Sequence, residues 1–137
     1  VCHSWRDEPE IEQDSTYYDD HMNLIDDSKA ALVSIIKEAA KRNIRVVGLI
    51  FPQSPAYAKT GAFGRYGLRR STAKKLIDEL KALNKKYPNF VLMDENKMGK
   101  HNYSNSMAVD EDHLCSGGSV ILTSHLNDLL LSWEKKK

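Results

Sequence analysis

Apolar residues along the chain follow two different periods, and each change of period marks an element boundary. Asp26, Asp27 and Ser28 offer N-cap oxygens. Leu32, Ile35, Ile36, Ala39 and Ala40 then recur at helical spacing, which predicts a helix ending at Asn43. Residues 44–51 are apolar at nearly every position and rich in β-branched side chains, closed by Pro52. Such a run predicts a strand buried on both faces, as in a parallel sheet. Residues 53–67 are broken by Pro55, Gly61, Gly64 and Gly67 and are expected to form an irregular loop. Ser71 can cap a second helix with Ala73, Leu76, Ile77, Leu80 and Leu83 on its apolar stripe, stopped by Pro88 and Asn89. Residues 90–93 read as a second buried strand, and 94–116 as a polar loop. Gly117 and Gly118 open a last helix with Val120, Leu122, Leu126, Leu129, Leu130 and Trp133 on one side.

Helix, strand, helix, strand, helix predicts an α/β chain with right-handed crossovers. Two strands buried on both faces need neighbours, so the sheet is expected to be incomplete in this chain. The missing strands could come from the N-terminal arm, from another subunit, or from sequence upstream of Val1, and the last is favoured. Residues 1–25 are acid-rich without a sustained period and are expected to form an irregular arm before a domain at 26–137. The start at Val1 rather than Met fits trimming by processing.

Composition narrows the choice of function. Hydrophobic residues make up 41% and charged residues 28%, which excludes a disordered or fibrous chain. Twenty basic against nineteen acidic residues give no basic stripe for nucleic acid. No run reaches the roughly 18 apolar residues of a membrane-spanning helix. Cys2 and Cys115 are the only cysteines. They leave open a disulfide in an oxidising compartment or two thiols in a reducing one, and a frayed terminus favours the thiols.

Ligand sites in open parallel sheets lie beyond the carboxyl ends of the strands. That rule selects the loop after residue 51 and the loop at 94–116, whose densest polar cluster is Asp110-Glu111-Asp112-His113. A turn between Asp110 and His113 brings the carboxylate onto one imidazole nitrogen. It thereby fixes the tautomer and leaves the other nitrogen free as a general base. Asp112 is expected to point away from His113. Ser54 is expected to cap a turn rather than act as a nucleophile. The Gly61, Gly64, Gly67 and Ser71 spacing, with Arg65, Arg69 and Arg70, resembles an anion-binding loop entering a helix but matches neither phosphate-loop fingerprint; a lid or substrate-facing loop stays open beside the favoured reading of no role. A metal could be drawn from His101, Asp110, Asp112, His113 and Cys115. The regular Cys/His pairs of zinc sites are lacking, so no metal and no cofactor are expected. Asp94-Glu95-Asn96 reads as a solvated strand end, and His125 as a surface or core-edge residue of the last helix.

The block Asp110-x-x-His113-Leu114-x-x-Gly117, between a last strand and a last helix, resembles the closing block of the SGNH (GDSL-type) hydrolase family. The phrase Arg45-Val46-Val47-Gly48-Leu49-Ile50-Phe51-Pro52 is similar to the strand before that block, and the resemblance spans roughly 27–133. It implies a three-layer, flavodoxin-like parallel sheet, with His113 as general base and Asp110 as its orienting carboxylate. The chain would be the C-terminal half of an ester or acyl hydrolase acting on an ester or acylated carbohydrate. No Gly-Asp-Ser nucleophile block and no Gly-x-Asn-Asp block occur, so the nucleophile is expected upstream and this chain alone is expected to be inactive. The chain also looks like the C-terminal part of larger bacterial surface proteins, which implies an extracytoplasmic or cell-surface location. The competing expectation is a non-catalytic binding or structural module of such a protein. Uncovered sheet edges predict a homo-oligomer of the isolated fragment.

Overall fold

The computed structural model describes residues 2–5, 22–65 and 68–135. Among these residues three helices, α1 (Met22–Lys41), α2 (Arg70–Lys86) and α3 (Ser116–Glu134), accompany two strands, β1 (Val46–Ile50) and β2 (Phe90–Asp94). The strands run parallel and in register, Val46 opposite Phe90 through Ile50 opposite Asp94. A parallel pair cannot be closed by a hairpin, and α2 supplies the crossover between them. The chain is therefore mixed α/β with a small parallel sheet. Most of the expected arm, residues 6–21, lies outside the described residues.

Side-chain alternation fixes which helix meets which face. Asp94 accepts from Lys81 Nζ on α2 at 2.6 Å, while the next residue, Glu95, accepts from His125 Nδ1 on α3 at 2.7 Å. Neighbouring residues on an extended chain point to opposite sides, so α2 and α3 flank β2 on opposite faces. On the α2 side, Ile36 of α1 and Phe90 are fully buried, and Asn84 of α2 donates to the Phe90 carbonyl. Lys29 of α1 bridges to Glu79 of α2 at 2.9 Å. On the α3 side, Trp5, Tyr103 and Ala108 form a buried cluster, packed by Met107, Leu114, Ile121 and Leu122.

Several boundaries differ from those expected. α1 begins at Met22 rather than after Ser28, so the expected capping residues lie inside it. Asp26 is engaged by Lys29 at 3.0 Å on the next turn. Its buried stripe runs through Leu32, Ile36 and Ala39, and Ile35 faces outward. α2 starts at Arg70, with Arg69 rather than Ser71 at the cap. Backbone pairing sets that start: Ala62 bridges Arg69, and Arg70 N donates to Gly61 O at 2.9 Å. The 53–67 loop is less irregular than expected, because residues Pro55–Lys59 form a 3-10 turn. On α3 the inward residues include Gly118, Ile121, Leu122, His125, Leu126, Leu129 and Trp133, while Val120 and Leu130 are exposed.

Cys2 and Cys115 are joined by a disulfide. The expectation of a frayed terminus fails here. His3 bridges Ala108, and the Trp5 ring is buried against the α3 side, so the first residues are anchored by packing as well as by the covalent bond.

Candidate functional site

Past its last strand residue, β1 runs through Phe51 and Pro52 into Gln53, which ties the surrounding loops together. Gln53 Oε1 accepts from Asn96 Nδ2 at 3.2 Å, and Gln53 Nε2 donates to Asp112 Oδ1 at 3.2 Å. Gln53 O accepts from His101 Nε2 at 2.6 Å. One residue thus links the carboxyl ends of both strands to the 110–113 turn. Ser54 is 1% exposed; its N donates to Glu111 O at 2.8 Å and its Oγ accepts from Ala56 N at 3.3 Å. It caps the 3-10 turn and has no open face for a nucleophile's work.

Asp110 closes its turn with one oxygen. Oδ1 accepts from Asp112 N at 2.8 Å and His113 N at 3.0 Å, an Asx turn, and from His113 Nδ1 at 2.9 Å. With Nδ1 facing the carboxylate as its donor, Nε2 is the nitrogen turned to the clefts as an acceptor. Burial would raise the Asp110 carboxyl, but the Asp112 N–H and the His113 ring and backbone outweigh it and hold the group below its ordinary value. His113 is well exposed, and two clefts meet at it. One, of about 430 Å³, is lined by Phe51, Pro52, Leu114 and Leu122 with Asp112 and Ser119. The other, of about 450 Å³, is lined by Gln53, Phe63, Gly64, Arg65, Asp110 and Asp112.

Asp112 points away from the imidazole, as its place in the chain implies, and has partners of its own. Tyr57 OH donates to its Oδ1 at 3.1 Å, and Arg65 Nε lies 3.7 Å from its Oδ2. Burial and the Asp112 carboxylate together push the Tyr57 hydroxyl well above its usual range. Arg65 also reaches Glu111 at 3.5 Å. Arg70 donates to Tyr57 O at 3.2 Å and Met98 O at 2.7 Å. Arg65 and Arg70 of the glycine-rich loop are therefore engaged with this network.

A second polar cluster was not legible as such. Glu95 is 8% exposed and accepts from Tyr103 OH at 2.6 Å as well as from His125. Asn96 is buried too, donating to Phe51 O at 3.1 Å. The solvated strand end expected at 94–96 is corrected: Glu95 is met by Tyr103 and His125 where β2 meets α3, Asn96 by Phe51 O and Gln53, and Asp94 by Lys81 of α2. No sequence signal marked them, because their partners Tyr103, His125 and Phe51 are brought to them only by the fold.

Among the described residues no group of three or more His, Cys, Asp or Glu could hold a metal ion, and Cys115 is taken up by the disulfide. No helix of the described residues is long and apolar enough to cross a membrane. Compared with models of known protein families, with curated proteins and with solved structures, the chain matches none.

Proposed function

We propose that this chain is the C-terminal half of an SGNH-like ester or acyl hydrolase, with Asp110 and His113 as its acid–base dyad. The observation that carries it is the Asp110–His113 Nδ1 hydrogen bond at 2.9 Å, set where two clefts meet beyond the carboxyl ends of a parallel strand pair. His113 Nε2 would take a proton from a serine as that serine attacks an ester carbonyl. Asp110 would stabilise the imidazolium formed, and the proton would then pass to the leaving alcohol. The serine and the oxyanion donors would come from an upstream half, which would also add strands to complete a three-layer, flavodoxin-like sheet. Uncovered apolar residues support that half: Ile44 and Phe51 flank β1 and are 52% and 58% exposed. The same surfaces favour self-association of the isolated chain. The substrate would be an ester or acylated carbohydrate, with no cofactor. The disulfide supports an extracytoplasmic location, where such bonds persist.

The test is hydrolysis of a simple activated ester by the longer polypeptide that carries the upstream sequence. His113→Ala should lower the rate by about 10² to 10⁴, and this chain alone should stay at background. Activity that survives the substitution would leave the alternative, a non-catalytic module built on the same fold.

A further inference from the structure

Residues 2–5 are fastened to the body beside the Asp110–His113 turn. Cys2 is bonded to Cys115, two residues past His113. His3 N donates to Ala108 O at 2.6 Å, and Trp5 N to Asn105 O at 3.2 Å. Two routes run from this segment to the site. Ala108 bridges His3 on one side and Leu114 on the other, and Val109 N holds His113 O at 2.8 Å. Trp5 lies with its ring 5.0 Å from that of His101, whose Nε2 holds Gln53 O, and Gln53 in turn holds Asp112.

We propose that the Cys2–Cys115 disulfide is a redox-sensitive clasp that sets the geometry of the Asp110–His113 turn through these two routes. The proposal needs that turn but not the hydrolase activity. Cys2 is exposed and Cys115 buried, so the thiolate of an external dithiol would attack Cys2 Sγ. The S–S bond breaks, its electron pair leaves on Cys115 Sγ, and that sulfur takes a proton. The dithiol's second sulfur then attacks the mixed disulfide and releases Cys2, which is protonated in turn. The protein gains two electrons and two protons, and the dithiol becomes a disulfide. Cys115 occupies the N-cap of α3, where the positive end of the helix dipole favours the departing thiolate. Two features favour opening once the bond is cut. Among the described residues the segment's backbone is then held by two hydrogen bonds, from His3 N and Trp5 N, beside the packing of the Trp5 ring, and Trp5 Nε1 and His101 Nδ1 are both buried with no hydrogen-bond partner. Release would let water reach both atoms.

The experiment compares the full chain oxidised, reduced with dithiothreitol, and as Cys2→Ser, by amide hydrogen exchange and by NMR of the imidazole nitrogens. Reduction should speed exchange at Val109 and Cys115 by at least about tenfold and shift the His113 ring signals. The strand amides of β1 and β2 should be unchanged, and reoxidation should restore the first state. Cys2→Ser should resemble the reduced form and ignore dithiothreitol. Unchanged exchange and ring signals on reduction would overturn the proposal. So would two free thiols in the air-oxidised protein, or loss of strand protection on reduction or in Cys2→Ser, which would make the bond a staple of the whole fold.

Discussion

Replacing Glu95 by alanine should cost this chain about 1.5–4 kcal/mol. Two donors converge on one carboxylate oxygen, Tyr103 OH at 2.6 Å and His125 Nδ1 at 2.7 Å. Tyr103 is 4% exposed, so its hydroxyl would be left with a long 3.5 Å contact to His125 Nδ1, a loss of about 1–3 kcal/mol. His125 is about one-third exposed and can turn to solvent, so it adds about 0.5–1 kcal/mol. For a chain of this size that sum lowers the melting temperature by roughly 5–20 °C. The pH dependence gives a sharper test. Burial alone would raise the Glu95 carboxyl, but the bonds from Tyr103 and His125 outweigh it and hold the group below its ordinary 4.5. A depressed carboxylate contributes stability that is complete above its unfolded value and is lost as pH falls through its folded one. Urea unfolding followed by circular dichroism should therefore show a constant gap between wild type and Glu95→Ala from about pH 5 to 8, narrowing below about pH 4. A variant as stable as wild type at neutral pH, or a gap that persists unchanged into acid, would refute the reasoning.

Gly118→Ala should destabilise by about 1–3 kcal/mol, because the added carbon would sit 2.6 Å from Met107 O and 2.8 Å from Leu114 Cδ2; chemical denaturation measures it. His113→Ala should change stability by less than about 1 kcal/mol in the same assay, since its bond to Asp110 joins two exposed side chains. A large loss there would mean the imidazole holds the turn together rather than standing ready at its surface.

Both strands and their direction were legible from uninterrupted apolar runs, which Val46–Ile50 and Phe90–Met93 display, but the expected burial on two faces is corrected for β1, whose residues are all only half-buried. The Asp110–His113 contact was legible because it is local and closes within one turn. Glu95, His125 and Trp5 were not. Each acquires its role from residues brought together only by the fold, Glu95 from Tyr103 and α3, and Trp5 from His101 and Ala108. Cys2 looked free for the same reason, since its partner stands at the far end of the sequence. Helix starts were misplaced where backbone pairing displaced side-chain capping, as Ala62 and Arg69 do ahead of α2.

The parallel pairing of Val46 with Phe90 also bears on how the chain reaches this fold. No tight turn can bring these strands together, so the whole crossover through α2 must close before their first hydrogen bond forms. The entropy of closing that loop is lost in advance, and the docking of α2 on β2 is what compensates for it. The sheet should therefore gain its protection in the same step as α2, late and all at once, instead of zipping outward from a hairpin.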